Sequence, residues 1–361
     1  MKRLLLCTTH PEKYLHYLDT YSLVMISPKL DYKRKQDLIA QSNCSIFITD
    51  DGIYDNSEGL EYDNEALVMS TSGTDGLPKF HCFTRAQLDL KIESIIKWFD
   101  ITSKDHYVSV MPLWHVAGLG IYLACLKVGA KVSVVDIQNL KKIPEMDPSF
   151  LVGSPSVLRV LSNFNWKNLR FVRSTTEPLP IDLYWHFLNR FQAPIIENHG
   201  MTEALGICLS NPLYGEQRPG TVGLPVDVEI NLTNNVLSLK GPTFSVSDWV
   251  DTGDLAEYDE KGYVRILGRK KEMIIIKGNK FFPSLIENQV LETVPGIKNI
   301  AVFGDDTINV VYEGDPDRTL LINTLRMVCQ NYKPKNVLQV DSIPLSDNGK
   351  ISRSLLKKIY L

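Results

Sequence analysis

"FLVGSPSVLRVLSN" (residues 150–163) is a short apolar run that ends in Gly-Ser-Pro and passes at once into an amphipathic stretch. The same step recurs in "LRFVRST" (169–175) before "IDLYWHFLNRF" (181–191), and in "APIIENHG" (193–200) before "MTEALG" (201–206). Strand, small-residue turn and helix in succession predict parallel strands with crossover helices, and open α/β sheets place their ligands at such turns. Upstream, "ALVMST" (66–71), "TRAQLDLKIESIIKWFD" (84–100), "DHYVSVMP" (105–112), "GLGIYLACLKVG" (118–129) and "AKVSVVD" (130–136) continue the alternation.

After Gly223 the texture changes. "VEINLTNNVLSLKG" (228–241), with an Asn234-Asn235 turn, and "LAEYDEKGYVRILG" (255–268), turning around Gly262, predict a small β unit at about 224–268 within a large domain 1–268. From Arg269 to the end, strands, two helices and a basic tail predict a small, mobile α+β domain, 269–361. "MKRLLLC" is read as a first strand, because its apolar run is too short for a signal sequence.

The 361 residues are 44% hydrophobic and 22% charged with a formal charge of −3, which suits a soluble globular protein and gives no reason to expect nucleic acid or a membrane as partner. The six cysteines form no metal-ligand spacing and no disulfide framework, so a cytoplasmic location is expected.

Anion chemistry has a local candidate in "STSGTDGLPKF" (70–80). Glycines let backbone N–H groups converge, hydroxyls donate, and Lys79 adds charge. Four further stretches follow in order: "HGMTEA" (199–204), "DWVDTGD" (248–254), "GRKKEMIIIKG" (268–278) and "PLSDNGKISR" (344–353). Together these resemble the adenylate-forming superfamily of acyl- and aryl-CoA synthetases, adenylation domains and luciferases, from about Leu67 to the end of the chain. "MPLWHVAGLGIYLACLKVGAKVSV" (111–134) is most similar to the o-succinylbenzoate-CoA ligases of menaquinone biosynthesis, with a shortened region before the phosphate loop.

The resemblance implies an AMP-forming acid–CoA ligase: a carboxylate attacks the α-phosphate of ATP, and CoA then takes the acyl group from the adenylate. Two anions must be brought together, so positioning and charge neutralisation carry the reaction. By resemblance, Thr71, Ser72, Gly73, Thr74, Gly76 and Lys79 hold the β- and γ-phosphates. Thr202 and Glu203 contact the α-phosphate region, with Glu203 as ligand to Mg2+, a cation that favours carboxylate oxygen. Asp254 accepts the ribose hydroxyls, Arg269 contacts the ribose, and His199 takes the place of the tyrosine that stacks on adenine. Lys350 reaches the reacting carboxylate and α-phosphate, Lys271 is the hinge, and Gly278 borders the pantetheine tunnel or ends a strand in a turn. His115 stands at the edge of an acid pocket shaped by Trp114, Val116, Ala117 and Gly118.

The cofactors implied are ATP, Mg2+ and CoA, and the partner is a small carboxylic acid. Two departures stand out. Asp75 occupies a hydroxyl position of the phosphate loop, either facing solvent in an Asp-Gly turn or holding Mg2+. Thr175, Thr176 and Glu177 replace small pocket-floor residues, and a buried Glu177 would have a raised pKa. An enzyme that loads a carrier protein, a nucleotide-binding homologue without turnover, and a homodimer covering the shortened front all stay open.

Overall fold

Strand alternation sets the layers of the first part of the chain. In three neighbouring parallel strands, Leu4, Leu6, Leu23, Met25, Leu67 and Met69 face one core, while Leu5, Cys7, Val24 and Val68 face another. Period-2 burial on both faces is what a central sheet strand requires. The structure is a computed structural model that describes residues 1–56, 59–71, 79–344 and 351–361. It divides into two units, one of Met1–Leu179, Leu183–Ile230 and Leu239–Val250, the other of Pro180–Asp182, Asn231–Ser238 and Asp251–Leu361.

The first unit holds a six-stranded sheet ordered Gly52–Asp55, Ile46–Thr49, Arg3–Cys7, Ser22–Met25, Glu65–Thr71, Lys79–Thr84. Its inner four strands run parallel and the two edge strands antiparallel. A seven-stranded sheet follows, ordered Leu224–Pro225, Gly206–Ser210, Ile195–Met201, Phe171–Ser174, Phe150–Gly153, His106–Ser109, Lys131–Val134. Its last five strands are parallel, as the sequence predicts.

Between the two sheets lie the helices Arg85–Phe99 and Val116–Val128, in one core with Tyr107, Phe150, Phe171 and Ile196. Ten of the thirteen residues of Val116–Val128 are buried, so this helix is apolar all round, as a helix enclosed by two sheets must be. Arg85–Phe99 starts at a capping box, in which Thr84 and Gln87 satisfy each other's backbone N–H groups. On the far face of the seven-stranded sheet, Val108, Leu151, Val172 and Ile195 pack on the helices Pro155–Leu161 and Ile181–Phe191.

One predicted helix is not formed. "MTEALG" makes only a single 3-10 turn, Thr202–Ala204, because Leu205 adopts a left-handed φ of 58° and the apolar residues that follow return as the antiparallel strand Gly206–Ser210.

The second unit carries most of a four-stranded sheet, Glu229–Thr233, Val236–Lys240, Val250–Tyr258, Val264–Arg269. The hairpin turn at Asn234-Asn235 has φ of 53° and 65°, the left-handed pair that a two-residue turn requires. A small hairpin, Ile274–Ile276 with Asn279–Phe281, precedes a three-stranded sheet of Ile297–Phe303, Asn309–Gly314 and Asn336–Gln339. The helices Pro283–Thr293 and Arg318–Val328 pack on that sheet through Ile286, Val290, Leu321 and Leu325. Among the described residues no helix is long and apolar enough to cross a membrane.

Candidate active site

Strands Glu65–Thr71 and Lys79–Thr84 are antiparallel neighbours whose register sets Thr71 opposite Lys79, so these two ends of the phosphate-loop motif are paired. Ser72, Gly73, Thr74, Asp75 and Gly76 lie outside the described residues, and so does Lys350. Two residues beyond Lys79, His81 turns its ring back beside Thr71, with Nε2 3.4 Å from Thr71 Oγ1. The same Nε2 lies 3.9 Å from Glu203 Oε1. The other ring nitrogen, Nδ1, is 3.2 Å from Ser245 Oγ.

Glu203 is held from its own backbone as well. Ser245 N–H donates to its carbonyl at 2.8 Å, and Thr243 Oγ1 donates to the carbonyl of Ala204 at 3.2 Å. Just before this turn, Gly200 crosses a bulge where an added Cβ would stand 2.6 Å from the carbonyl oxygen of Gly206, so only glycine lets the strand pass. His199 sits half-buried on that strand, one residue earlier. Burial holds the His81 imidazole below its ordinary pKa, with Glu203 opposing and Lys79 adding to the effect. The sequence reading missed His81 and Ser245; neither stands in a recognisable motif.

A carboxylate oxygen, a hydroxyl and an imidazole nitrogen at these separations fit the donor chemistry of a divalent cation. Among the described residues no cluster of three His, Cys, Asp or Glu side chains exists that would hold one alone. Phosphate oxygens of a nucleotide would complete such a site, as is usual for Mg2+.

His115 is exposed rather than a core histidine, and it is the N-cap of Val116–Val128, its Nδ1 accepting the Ala117 N–H at 3.2 Å. Gly118 lies where a Cβ would come 2.6 Å from the carbonyl oxygen of Pro112, so the tight approach of the loop to the helix depends on it. Val116 and Ala117 are buried.

The Thr175-Thr176-Glu177 departure is milder than feared. Glu177 is exposed, so no buried charge arises there. Thr176 instead carries a φ of 76°, a conformation that a β-branched residue adopts only with strain. The buried carboxylate of this region is Glu197, which accepts the N–H groups of Leu179 and Gly220, both at 3.3 Å, and whose pKa burial pushes up to about 7. A buried cation accompanies it on the next strand: Arg173 donates to Ala117 O and Asn198 Oδ1, both at 3.2 Å, while its Nε has no partner. Arg173 thus ties together the segments around His115, Thr175 and His199. Neither residue belongs to a motif, and the sequence reading missed both.

In the second unit, Asp254 and Arg269 are direct cross-strand partners. Arg269 Nε lies 3.0 Å from Asp254 Oδ1, and Arg269 Nη1 donates to Thr252 O at 2.8 Å. Asp254 is buried, and its backbone N–H is held by Thr252 Oγ1 at 3.1 Å. Lys271 is exposed in the 3-10 turn Lys270–Glu272 that follows Arg269. Gly278, with φ of 85° after Lys277 at 49°, occupies the hairpin turn between Ile274–Ile276 and Asn279–Phe281, and a Cβ there would meet nothing within 4 Å. Conformation rather than crowding accounts for this glycine.

The AMP-binding enzyme family matches residues 18–239. An oxalate–CoA ligase of Arabidopsis thaliana is 27% identical over 380 residues, covering 90% of this chain and 74% of the relative. A 2-succinylbenzoate–CoA ligase of Staphylococcus aureus (strain JH9) is 30% identical over 377 residues, covering 86% of this chain and 75% of the relative. Among solved structures, ATP-bound MatB from Rhodopseudomonas palustris superposes with a TM-score of 0.85 at 20% identity, over 99% of this chain and 88% of that one. The o-succinylbenzoate coenzyme A synthetase (MenE) from Bacillus subtilis, in complex with AMP, gives 0.85 at 19% identity over the same shares. The adenylate-forming fold expected from the motifs is therefore present, and the chain belongs to the AMP-binding enzyme family, within the superfamily of AMP-forming CoA ligases.

Proposed function

We propose that this protein is an AMP-forming acid–CoA ligase that activates a carboxylic acid with ATP and passes the acyl group to CoA. The observation that carries the reading is the convergence of Thr71, at the mouth of the phosphate-loop motif, with Glu203, through His81. In this reading Lys79 and the loop that follows Thr71 hold the outer phosphates, and Thr202 and Glu203 face the α-phosphate. Glu203 would hold Mg2+, which supplies charge neutralisation on the phosphate oxygens. Asp254 offers a buried two-oxygen acceptor to the ribose hydroxyls, and Arg269 keeps that carboxylate oriented. Lys350 brings its positive charge to the reacting carboxylate. Thioester formation follows with Lys271 as hinge between the two half-reactions and Gly278 beside the thiol arm of CoA.

The acid proposed is an aromatic or other dicarboxylic one, with o-succinylbenzoate, and hence menaquinone biosynthesis, as the leading case. Relatives named for oxalate and for 2-succinylbenzoate support a diacid. So does the buried positive charge of Arg173 on the segments assigned to the acid pocket.

The test is acid-dependent pyrophosphate release from ATP and Mg2+, with and without CoA, across o-succinylbenzoate, oxalate, benzoates and short fatty acids. Release stimulated by CoA is expected for a diacid. One charge at about 4 Å and an effective dielectric of about 20 is worth about 4 kcal/mol, so Lys350→Ala should lose nearly three decades of rate. No release with any acid, despite measurable ATP binding, would overturn the ligase reading.

A further inference from the structure

We propose that His81 is a nitrogen ligand to the divalent cation of this site, so that the protein takes Mn2+ in preference to Mg2+. The inference rests on the reading of Glu203 as a cation ligand and goes beyond it, because an imidazole changes which ion is favoured. Three observations lead here.

The first is spacing. Donor atoms about 2.1 Å from one ion lie about 3.0 Å apart at a right angle and about 4.2 Å apart when opposed. His81 Nε2 stands 3.4 Å from Thr71 Oγ1 and 3.9 Å from Glu203 Oε1, inside that window. The first distance is long, and the second too long, for a good hydrogen bond, so direct bonding among the three atoms accounts poorly for their convergence.

The second is orientation. A metal-binding histidine donates its other ring N–H to a neighbouring acceptor, which fixes the tautomer and aims the lone pair. His81 Nδ1 has that neighbour in Ser245 Oγ at 3.2 Å. With the proton on Nδ1, the Nε2 lone pair points to the space shared with Thr71 and Glu203. Ser245 is itself tied to the turn that bears Glu203, through its N–H on the Glu203 carbonyl at 2.8 Å. The orienting residue is therefore fixed to the backbone of the turn that bears the carboxylate.

The third is ligand chemistry. Mg2+ is a hard ion that favours oxygen, whereas the first-row transition ions bind imidazole nitrogen more readily, Mn2+ the most oxygen-seeking of them. A Glu–Thr–phosphate set favours Mn2+ over Mg2+ only weakly; adding Nε2 strengthens that preference. His81 is half-buried and its side chain is 14% exposed, so it is reachable by an ion while being shielded from bulk water.

Pulsed EPR on the whole chain with Mn2+ and ATP, without any acid, reads the ligand directly. A nitrogen coupling to Mn2+ is expected, and it should change to the 15N pattern when the protein is labelled with 15N-histidine, which separates it from adenine nitrogens. The coupling should vanish in His81→Gln, with Mn2+ affinity falling at least tenfold and Mg2+ affinity changing less than threefold. Should His81→Gln fail to fold, persistence of the histidine coupling when each of the other six histidines is replaced in turn assigns it to His81. Absence of a histidine coupling in the wild type, its survival in His81→Gln, its loss in His199→Phe, or equal loss of Mn2+ and Mg2+ affinity in His81→Gln would each overturn the proposal. Glu203→Gln separates the two readings. Unchanged metal affinity there sinks the cation role of Glu203 itself, whereas loss there without loss in His81→Gln sinks only the role of His81.

Discussion

Asp254 and Arg269 meet because one hairpin register sets them opposite each other, whereas His81 and Ser245 meet across 164 residues of chain. The first pairing is a local rule: two strands, one turn and a fixed count of residues between them. The second depends on where a sheet edge, a bulge and a distant loop come to rest. A side chain placed by register is held even if its neighbours change, while one placed by topology depends on every element that frames it.

The largest effect is expected where a pairing made by topology is also buried. Arg353 donates to both oxygens of Glu287, at 2.7 and 2.6 Å, to Glu272 at 2.8 Å and to the carbonyl of Val302 at 3.1 Å. Burial raises the Glu287 pKa and Arg353 opposes the rise. Removing one partner of a buried pair costs about 3–5 kcal/mol, so Arg353→Ala should lower the unfolding free energy of the second unit by about that much. Denaturant unfolding followed by near-UV CD would measure it. A loss under about 1 kcal/mol would mean that the Val302 N–H alone satisfies Glu287.

Glu197 probes the topological side as well. Burial pushes its carboxyl pKa up to about 7 in the folded chain from an ordinary value of 4.5. Between those values the folded state holds a proton that the unfolded state has lost, so stability falls as pH rises from about 4.5 to about 7 and then levels. The shift corresponds to about 3 kcal/mol across the window. Glu197→Gln should abolish the slope, and its absolute stability is a separate matter, since the amide nitrogen would face the Gly220 N–H. Urea midpoints at half-unit pH steps give the answer, and an unchanged slope would assign the titration elsewhere.

Asp254→Ala should act on nucleotide binding beyond whatever stability is lost with the Arg269 pair. Losing a charged acceptor costs about 2 kcal/mol of binding, or roughly 30-fold in ATP affinity by calorimetry. A fall of less than threefold would remove Asp254 from the ribose.

These cases also show how much of the molecule is legible in its amino-acid order alone. The three strand–turn–helix steps beginning at Phe150, Leu169 and Ala193 specify parallel strands through burial patterns that are written in consecutive residues, and all three strands formed. Asn234-Asn235 and Gly262 announced their turns because few residues accept positive φ. The helix expected at "MTEALG" failed because a left-handed Leu205 has no sequence signature. His81, Ser245, Arg173 and Glu197 were illegible for a different reason: a histidine, a serine and two charged residues inside strands or loops look like ordinary surface residues until distant segments close over them. Motifs revealed the chemistry, and topology decided which side chains attend it.

Thr176 provides the smallest effect and the finest test of that division. Its φ of 76° would be free of strain only for glycine, because a branched Cβ collides with its own backbone there. Holding a non-glycine residue in this region costs about 1–3 kcal/mol, while glycine returns part of that gain through its greater freedom in the unfolded chain, about 0.5–1 kcal/mol. Thr176→Gly should therefore stabilise the first unit by about 1 kcal/mol, visible as a shifted urea midpoint at constant slope. The same change removes a β-branched side chain beside the segment tied by Arg173, so the acid preference in pyrophosphate release should broaden toward larger acids. Stabilisation with an unchanged acid profile would make Thr176 a strained residue with no part in selecting substrate. Destabilisation would show that contacts of its side chain outweigh the strain, and that topology governs even this locally written position.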